Sequence, residues 1–287
     1  MLRQRGAQAR ILGQSILIKY RIFKKGGRSV DGNNIITMRG NDGGIIKIES
    51  HNALASTLEL ARRYAHEDYP DRYVVFTPKK VLDDGEIENG LYMSILLRPS
   101  IFPSQATLLG ALSATAMVTA LSEHTPKRLG LGWVSDLYCE GIKIGDSSIE
   151  GKLDNFTSYE YIIVTYSVKV TEATFPPRIT DMIKEVFEEG NTSVTMIMAK
   201  NILLKFFSLY VNIKTSTKFM DIYSERFIQR GLKVRYTDGQ KRYILRILNV
   251  DAKTCALVLD GPGGKPIPVF SPRNVQLPKK IKLKKKV

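Results

Sequence analysis

Cysteine is almost absent from this chain of 287 residues: Cys139 and Cys255 stand alone, with no CxxC spacing. That excludes a disulfide framework and a cysteine-rich zinc site, and it reads as a protein of a reducing, cytoplasmic compartment. Histidine is scarce too, and His51, His66 and His124 lack the spacing of a metal-ligand set. No apolar run approaches the ~20 residues of a membrane span, so none is expected. Acids are missing from both ends. Residues 1–28 hold eight Lys and Arg and no acid, and the last ten hold six lysines and no acid. Of a net charge of +15, residues 29–277 keep only about +1.

The basicity therefore sits in an N-terminal extension over 1–40 and a lysine-rich tail over 279–287. Such runs are ordinarily solvated and disordered. The sharper alternative is a grip on RNA or an acidic partner. The Arg-rich, acid-poor N-terminus also has the look of an organellar presequence, which would place the chain in a mitochondrion. What lies between has an ordinary composition, 43% hydrophobic and 25% charged. Its length suits one large domain and one small one, each able to bury a core.

Periodicity divides the body. Short strands are expected over 15–23, 45–48, 73–76 and 91–97, and a longer half-buried one over 159–170. Helices are expected over about 53–66, with Ser50 as cap, and over 104–122, 178–189, 193–210 and 218–229. After Arg230-Gly231 the texture changes to short strands over 232–236, 243–250, 255–259 and 267–270, separated by Gly- and Asp-rich turns. That pattern reads as a small barrel or sandwich over 231–278.

Residues 129–150 carry the densest chemistry. Two short strands flank the turn Cys139-Glu140-Gly141, with Asp136 ending the first and Lys143 opening the second. Antiparallel pairing would bring this carboxylate and ammonium together at a sheet edge. As bland alternatives, Lys143 is a solvated turn lysine, Trp133 packs in a core, and Tyr92 and Ser94 are alternating faces of a strand.

The order of elements and the residues on them resemble a biotin protein ligase without a DNA-binding domain. Glu49-Ser50-His51-Asn52 resembles the family's Asp-Ser-Thr-Asn, and Leu91-Tyr92-Met93-Ser94 its Leu-Tyr-x-Ser strand. Trp133-Val134-Ser135-Asp136-Leu137-Tyr138 resembles Trp-Pro-Asn-Asp-Leu-Tyr, and Lys143-Ile144-Gly145 the Lys-Ile-Gly that follows. The likeness covers roughly residues 45–277. It implies an α+β fold, with a mixed-sheet biotin/lipoate-ligase-like domain over 41–230 and a small SH3-like β-barrel after it. It also implies a chemistry. The family joins biotin to ATP with Mg2+ and passes biotin from biotinyl-AMP to a lysine of a biotin carboxyl carrier domain.

By this resemblance Lys143 would neutralise the approaching anions, and Asp136 would hold the metal or orient the incoming lysine. Ser50, His51, Asn52, Tyr92, Ser94, Trp133 and Gly145 would contact substrate, and the family's sheet edge suggests a homodimer. Several positions depart from the pattern. The family's Arg- and Gly-rich loop is replaced by Thr77–Gly90, with four acids against two lysines. Gly132 stands where the family has lysine, Val134-Ser135 where it has Pro-Asn, and Asp146 where it has a second glycine. Thr165-Tyr166-Ser167-Val168-Lys169 replaces a Gly-x-Gly-x-Asn strand. Two functions follow from this reading: a divergent ligase acting on biotin or lipoate, or a pseudoenzyme that binds or assembles. A nucleic-acid binder is a third and weaker reading, against which the near-neutral body and the lack of an aromatic–basic platform weigh.

Overall fold

Alternating β-branched and aromatic residues build two sheets. The computed structural model describes residues 34–154, 158–171, 174, 194–239, 241–277 and 281. The strand expected over 15–23, the helix over 178–189 and, apart from Ile281, the lysine-rich tail lie outside the described residues.

The larger sheet has eight strands in the order β1-β2-β3-β4-β8-β7-β6-β5. They are β1 (Asn34–Arg39), β2 (Ile45–Ser50), β3 (Tyr73–Val81), β4 (Ile87–Leu97), β5 (Leu129–Gly132), β6 (Asp136–Cys139), β7 (Ile142–Leu153) and β8 (Tyr159–Lys169). The β2–β3 pair is parallel and the other neighbours are antiparallel. Strand β1 falls within the segment read from sequence as an extension.

Helix α1 (Thr57–His66) covers part of one face. Its buried side meets Tyr73, Val75, Leu96, Tyr161 and Ile163 in a small core of its own. Its cap is Ser56, whose hydroxyl accepts from the Glu59 N–H at 3.1 Å, and not Ser50 as expected. The segment before it is held along β3 instead, by Leu54 N–H to the Lys79 carbonyl and Val81 N–H to the Leu54 carbonyl. Helix α1 cannot start until that ladder ends.

Helices α2 (Pro103–Leu121), α3 (Val194–Tyr210) and α4 (Phe219–Arg226) cover the opposite face. By length and composition Gln105–His124 is apolar enough to cross a membrane, yet 67% of its apolar window is buried inside the fold. A helix that is apolar all round suits a core position, because every side of it meets other elements.

Five further strands form a second, antiparallel sheet in the order β12-β11-β10-β9-β13. These are β9 (Lys233–Asp238), β10 (Lys241–Val250), β11 (Leu257–Asp260), β12 (Pro266–Val269) and β13 (Val275–Gln276). One continuous core joins the two sheets, running from Ile46 through α2 and α3 to Val275. Trp133 sits at the junction. Its indole Nε1–H donates to the Cys255 carbonyl at 2.7 Å, and its backbone N–H donates to Gln229 Oε1 at 2.9 Å.

Between Tyr73 and Leu97 the structure departs most from expectation. Residues 77–90 are not a loop. Strands β3 and β4 continue into a hairpin with Lys79 opposite Asn89, Lys80 opposite Glu88 and Val81 opposite Ile87. The tight turn at Leu82–Glu86 is closed by Leu82 N–H to the Glu86 carbonyl at 2.8 Å. Asp84-Gly85 between apolar flanks is the sequence signal for such a hairpin.

Candidate functional site

Register partners in antiparallel strands point to the same face of a sheet. Pairing therefore aligns one row across five strands: Asp136 with Asp146, Asp146 with Ser167, Ser167 with Tyr92, and Tyr92 with Thr77. The row lies on the face that α1 covers only in part. Beyond the start of α1 that face is open, forming a cleft of about 600 Å³. Thr77, Tyr92, Thr165 and Ser167 lie on its floor, Leu54 and Leu58 on one wall, and Lys80, Asp83 and Asp84 on the rim.

Asp136 and Lys143 meet at one end of the row, with Lys143 Nζ 2.7 Å from Asp136 Oδ1. The same ammonium lies 2.9 Å from Asp146 Oδ2. Partial burial acts to lower the Lys143 pKa, but hydrogen bonds to the two carboxylates outweigh it, and the pKa rises above the ordinary lysine value. The ammonium is thus fixed as a cation and shared between two anions. Tyr138 lies beside it, its hydroxyl 3.5 Å from Asp136 Oδ2.

A β-bulge makes this arrangement. The register jumps between Leu137–Gly145 and Tyr138–Lys143, which leaves Ile144 as an extra residue. Without the bulge, positions 143 and 146 would face opposite sides of the sheet. At Gly145 a Cβ would lie 2.4 Å from the Ser167 carbonyl oxygen. At Gly132 a Cβ would lie 2.7 Å from the Tyr138 ring and 2.8 Å from Gln229 Nε2. Tyr138 and Gln229 fill the space that a side chain at 132 would need.

The remaining expected contacts are dispersed. Ser94 is fully buried, its hydroxyl 2.9 Å from both Thr57 and Thr165. It lies on the same face as the floor, beside Thr165 and under the start of α1. Tyr92 lines the cleft, but its hydroxyl donates to Glu88 at 2.7 Å. Burial, then the bond to Glu88, raises its pKa. Glu88 also pairs with Lys169. Burial acts to raise the Glu88 pKa, but the bonds from Lys169 and Tyr92 outweigh it and hold it below the usual carboxylate range. Trp133 is buried at the junction of the sheets. Ser50 ends β2, and Asn52 is exposed in the segment that follows.

His51 faces inward, with Nε2 3.0 Å from Glu49 Oε1. Sequence reasoning matched Glu49 to the family pattern but gave it no role; it is a carboxylate only 5% exposed that also accepts from Tyr64 at 3.0 Å and Tyr73 at 2.7 Å. Burial and then the bonds to Glu49 raise the pKa of both phenols. Polar residues inside a strand that is otherwise Ile-rich were the available signal.

The fold is an α+β architecture, with an open cleft on one face of the larger sheet and a C-terminal β domain. No family model matches the sequence. The bifunctional ligase/repressor BirA of Bacillus subtilis is 28% identical over 101 residues, 32% of this chain, and the match spans about a third (31%) of that protein's length. The crystal structure of the biotin protein ligase from Aquifex aeolicus superposes with a TM-score of 0.57 at 18% identity, over 80% of this chain and 96% of that one. Its apo form gives a TM-score of 0.58 at 17% identity, over 83% and 98% of the two chains. A biotin protein ligase-like protein of unknown function from Silicibacter gives 0.57 at 13% identity, over 78% and 94%. The fold is that of the biotin protein ligases.

Proposed function

We propose that this chain uses the biotin protein ligase fold as a binding or assembly module and does not form an acyl-adenylate. One observation carries this reading: Lys143 Nζ is held by two carboxylates, at 2.7 Å and 2.9 Å. Activating a carboxylate with ATP brings two anions together, and a cation must neutralise the charge that develops. Here one positive charge is set against two negative ones before any substrate arrives. The cleft rim adds Asp83 and Asp84 against Lys80. The hairpin that carries them also replaces the backbone loop that would wrap a phosphate.

Magnesium meets the same obstacle. Asp136 and Asp146 are both engaged with Lys143, and among the described residues no group of three or more His, Cys, Asp or Glu could hold a metal ion. The residues present do not fit a magnesium triphosphate. A small molecule remains compatible with a cleft of about 600 Å³ that has apolar walls and a hydroxyl-bearing floor. Thr165 and Ser167 stand on that floor at the family's glycine positions, so biotin would have to share the space with them.

A second reading is favoured by the Asp136–Lys143 pair itself, which stands at the end of the row that floors the cleft. It is a ligase that activates biotin, or lipoate, with ATP and passes it to a carrier-domain lysine, with Asp136 at the metal, the SH3-like barrel as cap and a sheet-edge homodimer. Calorimetric titration with magnesium ATP separates the two. No saturable heat is expected from the native chain up to millimolar nucleotide. Saturable binding in the micromolar range, lost in Lys143→Ala, would overturn the binding-module reading.

A further inference from the structure

A second cavity, of about 610 Å³, lies on the C-terminal sheet and shares no residue with the cleft. Strand alternation builds it. Val234, Tyr236, Leu245 and Ile247 turn into the core, so Arg235 on β9 and Arg242 and Ile244 on β10 turn outward. Register sets Ile244 and Gln276 on either side of Arg235, and Arg242 opposite Thr237. Arg273, from the short helical turn before β13, and Asn274 complete the wall.

The groove has one sign of charge. Three arginines line it and no acid does. Among the described residues no carboxylate pairs with Arg235, Arg242 or Arg273, and Arg235 reaches only Gln276 Oε1, at 3.5 Å. Ile244 lies among them 72% exposed, while Tyr243 turns to the core face and stacks on Tyr236 with ring centres 6.2 Å apart. The charge is regional as well. Residues 231–277 hold eight Lys and Arg against three Asp, a net of +5, while residues 29–230 carry −4. The near-neutral body is two domains of opposite sign.

We propose that this groove binds single-stranded RNA. Arginine forks match phosphate oxygens in geometry as well as charge. A base face supplies a partner for the exposed Ile244, and base edges supply partners for the Asn274 side-chain oxygen and the Gln276 amide. An acidic peptide would use the arginines and leave the exposed isoleucine and the amides without a role. The six lysines of residues 279–286 begin three positions after Gln276 in the chain, so the segment that follows the groove carries the same sign.

Fluorescence anisotropy of the full chain with a labelled RNA of about a dozen nucleotides tests this. Reversing Arg235, Arg242 and Arg273 to Glu should weaken binding tenfold or more. Neutralising all three to Gln should lower the slope of log K against log salt by about 2, since each phosphate contact contributes roughly 0.7 on a single strand. All three side chains are exposed, and an unchanged melting temperature checks that the fold is intact. If the Glu variant unfolds, the Gln variant decides alone. Unchanged RNA affinity in a folded variant would overturn the proposal. So would equal or tighter binding of polyglutamate, or of anionic phosphatidylserine vesicles, with the same arginine dependence.

Discussion

Asp146 decides what Lys143 can do. Where the family pattern has a glycine, this carboxylate gives the ammonium a second partner at 2.9 Å and keeps its pKa above that of free lysine. The sign of the linkage follows: the pair contributes stability below about pH 10, the ordinary lysine range, and loses it as the pH rises through the higher folded value. In Asp146→Gly the Lys143 pKa should fall, the free-amine fraction at pH 8 should grow, and its labelling by an acylating reagent should quicken several-fold, read by mass spectrometry. Labelling as slow as in the native chain would show that Asp136 alone holds the lysine. Gly132 makes the complementary point by space instead of charge. Tyr138 and Gln229 occupy its side-chain volume, so the family's lysine could return only with their displacement.

Hairpin 77–90 is the element that most changes the site. It trades a phosphate-wrapping loop for a paired ladder whose tip carries Asp83, Asp84 and Glu86. The amides of Val81 and Leu82, bonded to the Leu54 and Glu86 carbonyls, should exchange with deuterium at strand rates, far slower than those of an open loop. Loop-like exchange there would remove the structural basis for excluding triphosphate. How much of this was legible varied with the physics. Strong alternation marked β3, the second half of β4, and β8, and the antiparallel hairpin that carries Asp136 and Lys143 was legible in its turn. Two features were hidden. The acids of residues 83–88 masked the Asp84-Gly85 turn signal. The bulge at Ile144, which turns Lys143 and Asp146 to one face, has no composition of its own and is set by how β6 and β7 pair. Ser50 looked like a cap because local spacing cannot reveal that the backbone of His51 and Leu54 is bonded to β3.

At the scale of the whole molecule, the two sheets share one core, and Trp133 and Gln229 tie them together. Gln229 is fully buried, so Gln229→Ala should leave the Trp133 N–H without its partner at a cost of about 1–3 kcal/mol. Calorimetry should then show a single transition moved to lower temperature. Two separate transitions would mean that the C-terminal sheet folds alone. Residues 29–230 and 231–277 carry opposite net charges, and the two cavities follow them: a cleft rimmed by Asp83 and Asp84 on one sheet and a groove lined by three arginines on the other. The claim on which the account turns is that adenylation is lost, and pyrophosphate–ATP exchange measures it most directly. With biotin or lipoate present, the native chain should exchange no faster than without either acid, and no faster than Lys143→Ala. Acid-dependent exchange that disappears in Lys143→Ala would contradict the account.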